Sequence, residues 1–139
     1  MSELIPVREF MTPMPQTIEE ALSLSDAKDR MYSLDVRHLP VLRDGQLVGI
    51  LSQRDVAIAE SITSADPKAI PVSQVMTPVP FSCGPDAHVE AVAREMAQHH
   101  YGSTIVVDPN HPTKVVGVFT TTDALRALAQ MIDRITREA

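Results

Sequence analysis

The chain has 139 residues, with 12 Lys and Arg against 18 Asp and Glu, a formal net charge of −6 and a pI near 5.2. Its length suits one compact domain of roughly 100–200 residues, and its 44% apolar and 22% charged content is that of a globular chain, not a disordered one. The acidic balance argues against a general electrostatic grip on nucleic acid or anionic lipid, and a single cysteine, Cys83, rules out an internal disulfide or a cysteine-built zinc site.

At the N-terminus, Met1-Ser2-Glu3-Leu4-Ile5-Pro6 has neither a cationic start nor the apolar run of a secretory signal. No stretch approaches the ~20 apolar residues of a membrane span. The expectation is a reduced, cytoplasmic protein with no membrane contact. Aromatic residues are only 4% and Trp is absent, which removes the stacking platforms of a single-stranded nucleic-acid binder.

An internal repeat organises the chain. Ile5-Pro6-Val7 and Met11-Thr12-Pro13-Met14-Pro15 recur as Ile70-Pro71-Val72 and Met76-Thr77-Pro78-Val79-Pro80, seven of eleven positions being identical at an offset of 65. After each lead-in segment a short strand is expected, near Gln16 to Ile18 and Phe81 to Cys83. A helix follows, from about Ser23 to Asp35 and from Asp86 or Ala87 to His100; Leu24, Ala27 and Met31 pair with Val89, Val92 and Met96 along one helical face. The runs Leu39-Pro40-Val41-Leu42 and Thr104-Ile105-Val106-Val107 read as strands.

Beyond these strands the offset becomes 68, so three residues are inserted in the second copy. Asp44-Gly45 is a strong hairpin turn, and Pro109 to Lys114 reads as a longer loop in the equivalent place. A second helix closes each copy, the last carrying Leu125, Leu128, Ile132 and Ile135 along one face. Ser61 to Lys68, with Asp66-Pro67, is a polar connector. The fold class is therefore α/β (α+β), two β-α-β-β-α units divided as 1–66 and 67–139. A unit of about 60 residues is marginal alone, so the two are expected to pack sheet to sheet about a pseudo-twofold axis, with clefts at the seam.

Where the last strand of each copy meets its helix, Gly49-Ile50-Leu51-Ser52-Gln53-Arg54-Asp55 matches Gly117-Val118-Phe119-Thr120-Thr121-Thr122-Asp123. A helix N-terminus favours a phosphate, Ser or Thr supplies a hydroxyl donor, Arg54 a fixed charge, and Asp an acceptor for the two hydroxyls of a ribose. The Gly permits close approach of a ligand. Together these describe a nucleotide site. The same spacing also describes a capping box that forms with no ligand, and both readings stand at this point.

The duplicated Met-Thr-Pro lead-in, the Arg37-His38-Leu39-Pro40-Val41 strand and the two Gly-x-x-Ser/Thr-x-x-Asp junctions closely resemble tandem CBS (cystathionine-β-synthase) domains, the Bateman module, over residues 5 to about 129. The resemblance implies a non-catalytic module of the stand-alone type that binds AMP, ADP, ATP, S-adenosylmethionine or an NAD-type dinucleotide and reports to an effector protein. It makes Asp55 and Asp123 ribose binders, Ser52, Arg54, Thr120 and Thr122 phosphate-side groups, Arg37 and His38 basic phosphate contacts, and Thr17 part of the base pocket. Gly102-Ser103 and Thr122 replace Arg37-His38 and Arg54 in the second copy, which ranks the first copy as the better polyphosphate site.

No obligatory cofactor is implied, the adenine nucleotide being a regulatory ligand. The five histidines lack a metal-ligand spacing, and Cys83 reads as a small core residue with no base to activate it. The stripe on the last helix outruns its copy-one counterpart, so a homodimer of four repeats is expected through it. The competing cover for Ile132 and Ile135 is the lead-in segment near Ile5 and Val7. The competing function is a dimerisation scaffold with vestigial clefts.

Overall fold

The protein was examined as a computed structural model that describes residues 4–78 and 80–138; Val79 of the second lead-in motif and Met1 to Glu3 lie outside the described residues. Among the described residues, eight strands and four α-helices follow the repeat: β1 (Thr12–Pro13), β2 (Ile18–Glu19), α1 (Leu24–Leu34), β3 (His38–Arg43), β4 (Gln46–Ser52) and α2 (Gln53–Ile62), then β5 (Thr77–Pro78), β6 (Ser82–Cys83), α3 (Val89–His99), β7 (Ser103–Asp108), β8 (His111–Thr120) and α4 (Thr121–Glu138). Two four-stranded sheets result, ordered β2-β3-β4-β5 and β6-β7-β8-β1.

The compact units do not follow the 1–66 and 67–139 division. One is Pro15–Pro80; the other joins the residues up to Met14 to those from Phe81 onward. The reason is an exchange of the lead-in segments. Strand β5, from the second segment, pairs with β4 in the first sheet, Gly49 opposite Pro78, and β1 pairs with β8, Gly117 opposite Pro13. The same segments set the starts of the first helices. Leu24 N–H donates to the Ile70 carbonyl and Val72 N–H to that of Leu22, while Val89 N–H donates to Ile5 and Val7 N–H to Ala87.

That second set of bonds explains why α3 starts at Val89, later than the expected Asp86 or Ala87: Pro85 and Asp86 form a turn, and His88 is held extended in a bridge to Pro6. By contrast α1 starts as expected, because Ser23 and Asp26 form a capping box, and it ends at Asp35 in the left-handed region.

Each unit has its own core. In the Pro15–Pro80 unit Ile18, Leu24, Leu39, Val41, Leu51 and Val72 are buried; in the other unit Val7, Val89, Val92, Val106, Phe119 and Ala127 are. Burying such a side chain is worth about 1.5–3 kcal/mol, and Val7 and Val72, both fully buried, fix each exchanged segment in place.

The two hairpins differ. Asp44 and Gly45 both take positive φ, 52° and 79°, giving the tight turn expected of Asp-Gly. The three extra residues of the second copy do not form the long loop Pro109 to Lys114. Strand β8 begins at His111, opposite Asp108, and the insertion is absorbed by the register shift between Val107 and Asp108; the shift between Val106 and Val107 recurs in the first hairpin between Val41 and Leu42. A bulge in the strand, not a longer tip, accommodates the added length.

Candidate functional site

Antiparallel pairing of β3 with β4 places His38 opposite Ser52, the last residue of β4 and the N-cap of α2. Gln53 N–H donates to the Arg37 carbonyl at 2.8 Å. One end of the sheet therefore gathers Arg37, His38, Ser52 and the first turn of α2. Ser52 and Asp55 form a capping box: Asp55 N–H donates to Ser52 Oγ at 3.0 Å and Ser52 N–H to Asp55 Oδ2 at 3.0 Å. The capping reading of the motif is thus realised in full, and two donors of the first turn are already used.

Two groups at this junction have no hydrogen-bond partner among the described residues: Asp55 Oδ1, as acceptor, and the Ser52 hydroxyl, as donor. Asp55 also borders a cavity of about 420 Å³ walled mainly by Ile58, Ile62, Ile70 and Val75, with Gln74 as a polar group. A half-exposed carboxylate beside apolar walls is suited to a ligand with an apolar ring and vicinal hydroxyls.

His38 is half-buried, and burial pushes its pKa below the usual histidine value; the Asp55 carboxylate pulls it up and the Arg37 guanidinium pushes it down, both more weakly. A neutral imidazole is favoured there. Arg37 is exposed and borders a groove between α1 and α2 with Lys28 and Tyr32, and Arg54 is exposed on the first turn of α2. Thr17 precedes β2, which β3 separates from β4; its carbonyl accepts from the Arg30 guanidinium at 2.6 Å. The structure therefore gathers Arg37, His38, Ser52 and Asp55, with Arg54 exposed in the same first turn of α2 and Thr17 across β3.

At the start of α4 the same geometry is closed. Asp123 Oδ2 accepts from Thr120 N–H at 2.9 Å and from Thr120 Oγ1 at 3.1 Å, and Asp123 N–H donates to Thr120 Oγ1 at 3.3 Å. Its other oxygen, Oδ1, accepts from the Arg126 guanidinium. Asp123 is only 2% exposed. Thr122 is exposed beside it. The equivalents of Arg37, His38 and Arg54 are indeed Gly102, Ser103 and Thr122, but Arg126, outside that comparison, brings a cation to this junction. The spacing Asp-x-x-Arg puts the two on one helical face and was the available signal.

The junction glycines also need a different reason. A Cβ on Gly49 would stand 2.6 Å from Met76 Sδ and 2.8 Å from the Thr77 carbonyl oxygen, and one on Gly117 would collide with Met11. What approaches each glycine is the paired lead-in strand, not a ligand. Cys83 on β6 is half-buried, its sulfur 4.0 Å from Thr104 Oγ1, and burial pushes its thiol pKa up. An unactivated thiol results. Among the described residues no group of three or more His, Cys, Asp or Glu is placed to hold a metal ion, and no helix is long and apolar enough to cross a membrane.

Residues 7–61 and 72–130 match the CBS domain. The chain belongs to the CBS domain family. It carries the domain twice, and CBS domains are regulatory, not catalytic. It is 30% identical over 112 residues to the CBS domain-containing protein YhcV of Bacillus subtilis (strain 168), covering 81% of this chain and 79% of that one. Among solved structures it is similar to the CBS domain pair of protein MJ0100 in complex with 5′-methylthioadenosine and S-adenosyl-L-methionine, with TM-score 0.83, 25% identity and coverage of 93% and 99%. CBSX2 of Arabidopsis thaliana in complex with AMP aligns with TM-score 0.75, 27% identity and coverage of 91% and 97%. The chain spans only 22–24% of the length of several larger curated relatives.

Proposed function

We propose that this CBS pair is a regulatory module that binds an adenosine-containing ligand at the first-copy junction and passes its occupancy to a partner protein. The observation that carries the reading is Asp55, whose Oδ1 is uncommitted and whose side chain borders the apolar-walled cavity. Ribose hydroxyls would donate to Asp55, the base would lie against Ile58, Ile70 and Val75, and the Ser52 hydroxyl with Arg54, Arg37 and His38 would meet the group at the 5′ end. Thr17 would serve the base side, and Thr120, Thr122 and Asp123 would be the second-copy counterparts. The adenosyl ligands of MJ0100 and CBSX2 support that ligand class. Occurrence of the module as a quarter of larger relatives supports a regulatory use.

Thermal shift against AMP, ATP, 5′-methylthioadenosine and S-adenosylmethionine tests it. A ligand at 100 times its Kd adds about 2.7 kcal/mol, which raises Tm by several degrees for a chain of this size. No shift with any of the four at millimolar concentration refutes the reading.

A second reading, pairing of two copies, rests on α4. Leu125, Leu128, Ile132 and Ile135 are 65%, 52%, 52% and 67% exposed. Ile132 and Ile135 are thus not covered by the lead-in segment, whose Ile5 and Val7 pack instead against α3. Spacing of three and four residues makes this a seam suited to an identical helix. Ile132→Asp with Ile135→Asp should halve the mass seen by light scattering; a monomeric wild type disposes of it.

A further inference from the structure

Resting on the adenosyl-binding reading, we infer that Arg126 shuts the second-copy junction, so that the chain takes up one adenosyl ligand and not two. Three observations lead there. First, the hydroxyl and the carboxylate of the second junction are bonded to one another and to Arg126: the Thr120 hydroxyl donates to Asp123 Oδ2, the same oxygen accepts from Thr120 N–H, and Oδ1 accepts from Arg126, which leaves Thr122 the only exposed one of the three expected binding residues. Second, Asp123 is 2% exposed, whereas Asp55 is half-exposed and borders a cavity. Third, the residue that makes the difference is a single position. The site three residues beyond the aspartate is Arg126 in the second copy and Ile58 in the first, and Ile58 lines the open cavity.

The chemistry favours closure. A carboxylate whose two oxygens accept one charge-assisted and two ordinary hydrogen bonds can accept from sugar hydroxyls only by giving some of them up. Arg126 is itself 63% exposed at its side chain, so its guanidinium can swing away once no longer held, and the gate costs little to remove. Isoleucine at this position has no donor, and Asp55 is left available.

The test is calorimetric titration of the full chain with AMP and, separately, 5′-methylthioadenosine. Wild type should saturate at one ligand per chain, and Arg126→Ala at two, the first affinity unchanged. Combining Asp55→Ala with Arg126→Ala should keep the second-junction ligand, where Asp55→Ala alone retains only a weakened first site. Arg126→Ile, which puts the first-copy residue at this position, is the second variant should the alanine form fold poorly. A wild type that binds two ligands, or an Arg126→Ala and an Arg126→Ile that both stay at one, overturns the inference while leaving the adenosyl reading intact. No binding by any variant to either compound overturns both.

Discussion

Helices α2 and α4 start in the same manner, with a hydroxyl residue as N-cap and an aspartate reaching back from the first turn, yet the two carboxylates end in opposite states. Asp55 keeps one oxygen free beside a cavity; Asp123 has both oxygens engaged and is sealed from solvent. The contrast teaches that one capping motif can leave a carboxylate oxygen open or close it. What differs lies one turn further along, an isoleucine in the first copy and an arginine in the second. A duplicated motif thus does not guarantee a duplicated geometry.

The contrast can be broken most forcefully in the cores beneath the junctions. Leu51 and Phe119 are equivalent, both fully buried, and each sits directly before its N-cap residue. Phe119→Ala should cost about 3–5 kcal/mol and Leu51→Ala roughly 2–5 kcal/mol in urea unfolding, by lost burial and the cavity left behind. A Phe119→Ala that costs under about 1 kcal/mol would show that the second junction does not depend on the ring below it.

The aspartates sharpen the comparison at the next level. Asp55→Ala should weaken AMP binding by about 1.5–3 kcal/mol, the range for hydrogen bonds to a charged group, with a modest effect on stability. Asp123→Ala should do the reverse: ligand affinity unchanged, stability lowered by roughly 0.5–2 kcal/mol through loss of the cap. Equal effects of the two substitutions on binding would erase the distinction.

The smallest effect expected is that of pH. Burial holds the folded-state pKa of His38 below its ordinary value of 6.5, so on acidification the unfolded chain takes up the proton first. Stability from this group is present above about pH 6.5 and is lost as pH falls below it. The equivalent residue in the second copy is Ser103, which does not titrate. Urea midpoints for wild type should therefore fall more between pH 8 and pH 5.5 than those for His38→Gln. Parallel decline of the two would remove His38 as the cause. An anionic 5′ group bound near His38 should favour its protonation, so AMP binding at pH 7 should draw protons from the buffer.

Much of this molecule is legible in its residues because local rules act within each copy. The apolar spacing of Leu24, Ala27 and Met31 sets a helical face, Asp44-Gly45 sets a turn, and Ser52-x-x-Asp55 sets a cap, each through contacts spanning a few residues. What is not legible depends on partners distant in sequence. Thr12-Pro13 and Thr77-Pro78 are two-residue strands with no side-chain pattern that names a neighbour, so nothing in them tells β8 from β4. The bulge at Val107 is hidden because an insertion is as compatible with a kinked strand as with a long loop. The role of Gly49 and Gly117 is hidden for the same cause: the atom each one makes room for, on Met76 or Met11, arrives through the exchange. Arg126 is the intermediate case. Its spacing from Asp123 is plain in the sequence, but the seal it makes is seen only beside the unpaired oxygen of Asp55.

The exchanged lead-in segments also impose a timetable on synthesis. Pro15–Pro80 contains every strand of its sheet and can be complete as soon as its last residue leaves the ribosome. Ile5 to Met14, made before that unit, have their hydrogen-bond partners between Pro85 and Val89 and in β8, which follow only after Phe81. At about 5–20 residues per second, Ile5 and Val7 wait several seconds in solvent with their apolar side chains uncovered. The Pro15–Pro80 unit can thus close before the segment that precedes it meets its partners.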